Sequence, residues 1–159
     1  QQILLVTDPG REEEVITRLA RVGYDFCIGF LEGGIEAWKK AGMEIDNIQR
    51  VSVDQLADVL KANPDTPVFD VRKKSEYASE HVQAFENAPL DTVNDSMLLI
   101  PKNKPVYIHC AAGYRSMIFT SILRARGYDN LIDVSGGFKS LKDSGKFELT
   151  DYVCPTTLL

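Results

Sequence analysis

Short apolar runs alternate along this chain with stretches whose apolar residues recur at helical spacing. In "ILLVTDPGREEEVITRLARVGYD", Ile3 to Asp25, a run leads through a glycine-bearing turn to Val15, Ile16, Leu19 and Val22, one face of a helix. "VYIHCAAGYRSMIFTSILRARGYD", Val106 to Asp129, repeats that order with Ile118, Ile122 and Ala125 as the helical face, and closes on the same Gly-Tyr-Asp. The likeness continues from "LEGGIEAWKKAG", Leu31 to Gly42, to "VSGGFKSLKDSG", Val134 to Gly145. Two copies of one β-α-β-α unit are therefore written in the chain. Strand–helix alternation of this kind predicts parallel strands joined by crossovers, an α/β class with helices on both sheet faces.

The second copy has more chain ahead of it. "SVDQLADVLK", Ser52 to Lys61, reads as an amphipathic helix capped by Ser52, with Val53, Leu56, Ala57 and Leu60 on its apolar side. A brief helix begins at Ser75. Strands are predicted around Arg50–Val51, Val68–Val71, Phe85–Asn87, Val106–His109 and Leu131–Val134, which makes a complete small domain over residues 47–159 including its tail. The first copy, by contrast, opens on a strand with nothing before it, and a half-sheet buries too little apolar surface to offset chain entropy. Residues 1–46 are thus expected to be the C-terminal half of an upstream domain, joined through the polar "EIDNIQ", Glu44 to Gln49.

Composition narrows the function. The 159 residues are 44% hydrophobic and 26% charged, an ordinary globular balance, and the net charge of −5 comes with no basic stripe for nucleic acid. No apolar stretch approaches the roughly 20 residues of a membrane span, so neither membrane nor nucleic acid is an expected partner. Two histidines are too few for the usual zinc sites, and neither a metal nor a cofactor is expected in this chain. Three unclustered cysteines suit a reducing, cytoplasmic setting. Cys27 and Trp38 are expected in the core of the first copy, Trp38 taking the helix slot of Leu141. Cys154, beside Pro155, is expected to be an incidental cysteine of the tail.

Cys110 stands apart because of its C-terminal neighbours. A strand running into a glycine-bearing turn and then a helix aims successive backbone N–H groups and the positive end of the helix dipole at one spot. Such surroundings favour a thiolate, the reactive form of cysteine. Ala111 and Ala112 keep the rim small and the mouth open, Gly113 allows a positive φ, Arg115 supplies a cation, and Ser116 is expected to cap the helix; Tyr114 completes the loop. The competing reading is an inert buried cysteine at a strand end. The first copy is an internal control: it carries Thr7 in place of Cys110 and "REEE", Arg11 to Glu14, where an anion would bind. Three carboxylates at a helix N-terminus steady the helix and repel anions, which marks this copy as an inactive twin.

"FDVRKKSEYASEHV" (Phe69 to Val82), "NAPL" (Asn87 to Leu90), "VYIHCAAGYRS" (Val106 to Ser116) and "GYDNLIDVSGGF" (Gly127 to Phe138) together resemble the rhodanese domain over residues 50–148. The resemblance implies a five-stranded parallel sheet flanked by helices, preceded here by a partial, degenerate second copy. It implies a sulfurtransferase in which Cys110 accepts a sulfane sulfur from thiosulfate or a persulfide and passes it to a thiol or cyanide. "CAAGYRS" is most similar to rhodanese domains fused to metallo-β-lactamase-like hydrolases, some related to persulfide dioxygenases, which implies a metal-dependent hydrolase domain as an N-terminal partner. A noncatalytic docking or regulatory module on such a hydrolase is the alternative. Four residues separate Cys110 from Arg115, where phosphatase-like relatives have five; the shorter loop suits one extra sulfur better than a phosphate. Asp70, Arg72 and Glu76 match the family's "DVR…E" as structural support, with Arg72 and Glu76 expected to form an ion pair at helical spacing. Glu80 stands where the family has glycine, and is expected to bend or charge the turn before His81. His109 points away from Cys110 by strand alternation and is expected to be packed in the fold.

Overall fold

The computed structural model describes residues 1–154, so Cys154 is its last residue and the rest of the tail, from Pro155 on, lies outside the described residues. The chain divides into two compact units, Gln1–Asn47 and the remainder from Ile48. In the first, β1 (Ile3–Leu5), α1 (Glu12–Ala20), β2 (Cys27–Phe30) and α2 (Gly34–Lys40) form a two-stranded parallel sheet with its helices. Leu5 is its one buried apolar side chain, and α1 buries none. Cys27 and Trp38 therefore do not form the core expected of them: Cys27 is half-buried and Trp38 is 37% exposed, its indole N–H donating to Glu44 O at 2.8 Å. Val22 is likewise exposed. Two strands present too little sheet to cover these side chains.

The second unit runs β3 (Gln49–Val51), α3 (Val53–Ala62), β4 (Val68–Asp70), α4 (Lys74–Ser79), β5 (Glu86–Asn87), α5 (Val93–Ser96) between two single 3₁₀ turns, β6 (Val106–His109), α6 (Tyr114–Arg124), β7 (Leu131–Val134) and α7 (Gly137–Ser144). Its five strands are all parallel in the order β3-β7-β6-β4-β5. Strand alternation splits the core into two layers. Phe69, Ile108 and Cys110 pack with Phe119 and Leu123 of α6 on one face; Tyr107, Ile132 and Val134 pack with Leu56 of α3 and Phe138 and Leu141 of α7 on the other. α3 starts as its sequence predicts: Ser52 Oγ accepts from Gln55 N at 3.2 Å while the Gln55 side chain accepts from Ser52 N at 2.8 Å.

The rotation of α6 differs from expectation. Ser116, Phe119, Thr120 and Leu123 face the sheet, whereas Ile118 is exposed and Ala125 lies past the helix end; of the predicted stripe only Ile122 packs. Both stripes have helical spacing. The choice is made by the preceding loop, where Ser116 is buried and its Oγ donates to Gly113 O at 3.1 Å, which fixes the phase of the helix. Among the described residues no helix is long and apolar enough to cross a membrane.

One close approach positions the loop that carries Cys110. The N-terminus of α7 abuts the turn after β6: Phe138 N donates to Cys110 O at 2.6 Å and Lys139 N to Ala111 O at 3.2 Å. This contact needs Gly137, at φ +58°, since a Cβ there would collide with the Cys110 carbonyl oxygen and lie 2.8 Å from Ala111 C. The first unit repeats the device, with Gly34 at φ +59° set against the carbonyl of Thr7. Gly145, at φ +62°, has open space where its Cβ would be. Gly137→Ala is therefore expected to cost about 3 kcal/mol and Gly145→Ala only about 1 kcal/mol, the left-handed strain alone. Urea unfolding of the two variants measures the difference, and equal midpoints would deny the contact its importance.

Candidate functional site

Cys110 comes directly after the last residue of β6, and Gly113, at φ +106°, opens α6. Between them the chain folds under the sulfur. Gly113 N–H points at Cys110 Sγ across 3.1 Å. Burial pushes the thiol pKa up, but hydrogen bonds from the Ser116 N–H and hydroxyl and from the N–H groups of Ala112 and Gly113 outweigh it, and the pKa lies below that of an ordinary thiol. Ser116 does not cap α6 as its sequence position suggests. The cap is Gly113, and Ser116 is the third helical residue, its single hydroxyl proton shared between Gly113 O and the sulfur. An anionic sulfur draws that proton to itself.

The rim is small but not wide. Ala112 is exposed and Ala111 half-buried, while Cys110 is only 1% exposed, so the open mouth expected from two alanines narrows to its sulfur. Tyr114 projects outward at 80% exposure. Arg115 turns from the loop to α4, where Nη1 and Nη2 donate to Glu76 Oε2 and Oε1 at 2.5 and 2.9 Å. Its pKa is raised, first by that hydrogen bond and to a lesser extent by the Cys110 charge, and the same guanidinium holds the Glu76 carboxyl below its usual range. Arg115 is thus braced by Glu76, and its charge couples to that of Cys110 through space.

The ion pair expected between Arg72 and Glu76 is not formed. Arg72 lies before α4 begins, so helical spacing does not apply to it; its Nε reaches Asp70 Oδ2 at 2.8 Å and Oδ1 at 3.1 Å, and Nη2 reaches Glu80 O at 2.8 Å. Asp70 and Arg72 are both buried, and Asn87 Nδ2 binds the carbonyls of Asp70 (2.8 Å) and Arg72 (3.0 Å) behind them. Glu80 leaves the turn undistorted: its φ of −167° is extended backbone open to any residue, and its carboxylate meets Lys142 Nζ at 2.6 Å. His109 is fully buried against Phe85, and burial lowers its pKa so that it stays neutral. It packs in the layer opposite Cys110, in keeping with strand alternation. Cys154 is exposed. Among the described residues no three His, Cys, Asp or Glu side chains converge as a metal site would require.

Gly137, Asn87 and the Arg50–Asp133 pair were not legible as parts of this region. The doubled glycine of "SGGF" was the only local signal, and its copy in "EGGI" marked a repeat without showing what it touches.

Comparison with known proteins agrees with this geometry. The family model of the rhodanese-like domain matches residues 52–144. The adenylyltransferase and sulfurtransferase uba4 of Ogataea parapolymorpha is 33% identical over 58% of this chain, which spans 23% of that protein's length. Thiosulfate sulfurtransferase GlpE of Tolumonas auensis is 29% identical over 57% of the chain, which spans 84% of it. Among solved structures, a rhodanese-like domain protein from Staphylococcus aureus superposes with a TM-score of 0.57 at 31% identity, over 64% of this chain and 97% of that one. A shared fold, a matched domain and a loop of amides around one cysteine lead to one conclusion: this chain belongs to the rhodanese-like domain family.

Proposed function

We propose that the chain is a sulfurtransferase in which Cys110 is the catalytic residue and carries a sulfane sulfur between a donor and a thiol or cyanide. The observation that carries this reading is the set of donors, Gly113, Ala112 and Ser116, directed at one sulfur. With thiosulfate, the Cys110 thiolate attacks the outer sulfur; a new S–S bond forms, the old S–S bond breaks, and sulfite leaves with its electron pair. The Cys110 persulfide anion then yields its terminal sulfur to an incoming thiolate, which gains the sulfur as a persulfide while Cys110 departs as thiolate. Each displacement conserves charge, and two easy steps replace a hard one. The loop amides stabilise the anion on either sulfur. Ala111, Ala112, Gly113, Tyr114, Arg115 and Ser116 form the substrate-binding loop, with Asp70, Arg72 and Glu76 as its support.

Residues 47–159 act as the transfer domain, and residues 1–46 as the C-terminal half of a degenerate copy, a reading supported by Thr7 and Gly34 standing where Cys110 and Gly137 stand. A thiolate carrier suits a reducing, cytoplasmic compartment. Attachment to a metal-dependent hydrolase is supported by the likeness of "CAAGYRS" to hydrolase-fused rhodaneses alone.

Mass spectrometry after thiosulfate treatment is expected to find one added sulfur on Cys110, removed by cyanide, with Cys110→Ala losing transfer by about a thousandfold or more. A chain that gains no sulfur would refute the reading. Because the thiolate is the nucleophile and its pKa is depressed, the loading rate is expected to rise with pH and level off, with its inflection below that of an ordinary thiol. Ser116→Ala removes a donor to the anion and moves that inflection to higher pH. The linkage has a matching sign: thiolate stabilisation of the fold is complete above the unfolded thiol pKa and is lost as pH falls through the folded one. The stability gap between the parent and Cys110→Ala should therefore change in the parent's favour as pH rises.

A further inference from the structure

Arg50 and Asp133 form a pair that the chemistry above leaves unused. They face each other across β3 and β7 in register, and Arg50 Nε donates to Asp133 Oδ2 at 2.9 Å. Asp133 is in turn paired in register with Ile108 on β6, two residues before Cys110, so the pair lies on the sheet face that carries the sulfur. The partners differ in setting: the Asp133 side chain is 0% exposed and that of Arg50 is 52% exposed.

A buried carboxylate is expensive, and a pair kept for stability would satisfy both of its oxygens. Asp133 Oδ1 has no partner among the described residues. What the pair does accomplish is aim. Nε is held from below, and the Nη nitrogens have no hydrogen-bond acceptor among the described residues. Nη2 lies 3.7 Å from where a Cβ on Gly113 would be, beside the residue whose N–H faces the sulfur. A guanidinium so fixed offers two parallel donors, a fork matched to a carboxylate or sulfonate. The other loop cation, Arg115, has its fork filled by Glu76. In a chain of net charge −5, an anionic donor needs such a local cation.

We propose that Arg50 is a specificity residue that binds the oxyanion end of the sulfur donor, the sulfonate of thiosulfate or a carboxylate of a peptide-thiol persulfide, with Asp133 as the positioning residue that aims it. This rests on Cys110 being the sulfur acceptor. In thiosulfate the outer sulfur reaches Cys110 while the sulfonate stays at the rim on Arg50, and the same guanidinium holds sulfite as it leaves.

The balanced double variant Arg50→Gln/Asp133→Asn removes both charges and leaves no lone buried carboxylate. Arg50→Lys keeps a cation for Asp133 but lacks the fork. Formation of the Cys110 persulfide is monitored against concentration for three donors: thiosulfate, glutathione persulfide, and an alkyl persulfide with no charge on its tail. In the double variant the half-saturating concentration is expected to rise about tenfold or more for an oxyanion-bearing donor and to stay unchanged for the alkyl persulfide, with Arg50→Lys intermediate. A rise confined to thiosulfate identifies the sulfonate as the ligand, and one confined to glutathione persulfide the carboxylate. Unchanged constants for all three donors in both variants, or an equal loss for all three, would overturn the assignment while leaving Cys110 intact as the carrier. A parent protein that no donor loads would overturn the sulfur-transfer reading itself, and this assignment with it. Should the double variant fail to fold, Arg50→Lys alone decides: parental constants for both oxyanion donors overturn the assignment.

Discussion

The site depends on carbonyls being taken out of the way. A turn cannot direct several amide hydrogens at one atom unless the opposite ends of those peptide groups find partners elsewhere. Here the amides of Phe138 and Lys139, at the start of α7, take the carbonyls of Cys110 and Ala111, at 2.6 and 3.2 Å. Only a glycine at 137 lets the helix approach closely enough. The sulfur-facing side of the loop and the helix behind it are two sides of one hydrogen-bonded arrangement, in which an unmet buried group would cost about 1–3 kcal/mol. The same close approach, of Gly34 to the Thr7 carbonyl, occurs in the first unit without a cysteine, so the backbone device is separable from the chemistry. Replacing the sulfur leaves the scaffold standing.

Charge around the loop is arranged as braced pairs. Arg115 is gripped by Glu76, Arg72 by Asp70, and Glu80 by Lys142. Each pair joins segments that the sheet alone would leave independent: α6 to α4, the end of β4 to the turn after it, and the end of α4 to α7. Arg72 also lies over the Phe138 ring, 3.8 Å from its centroid, so the buried Asp70–Arg72 pair touches the residue whose amide holds Cys110 O. Exposed ion pairs contribute little to stability. Their value here is geometric, since they fix loops whose backbones carry the donors.

How much of this could be read from sequence depends on how local each signal is. β6 and β7 have the bounds their apolar runs predict, and α3 has its cap and its face, because strand length, capping and periodicity are written in neighbouring residues. The fold and the cysteine at the end of β6 were legible for the same reason. The rotation of α6 was not, because two stripes of the same spacing compete and a buried hydroxyl at Ser116 decides between them. The partner of Arg72 is not legible from helical spacing, because α4 begins only at Lys74 and Arg72 turns back to Asp70. Trp38, by its match to Leu141, and Cys27, by its place on a strand, point to a core that a sheet of two strands does not provide. Arg50 and Asp133 lie 83 residues apart, and no local pattern links them.

That separation has a consequence for how the protein comes to exist. β3 is the first strand of its sheet to be synthesised, and among the described residues its one sheet neighbour is β7, the last. While a ribosome makes the intervening chain, β3 has no place to pair, and any early nucleus must form among β4, β5 and β6. Closure of the sheet waits until Leu131–Val134 have emerged. A product that stops short of β7 therefore leaves β3 unpaired and one edge of β6 open, so the sheet is whole only when its central pairing, β6 with β7, has formed.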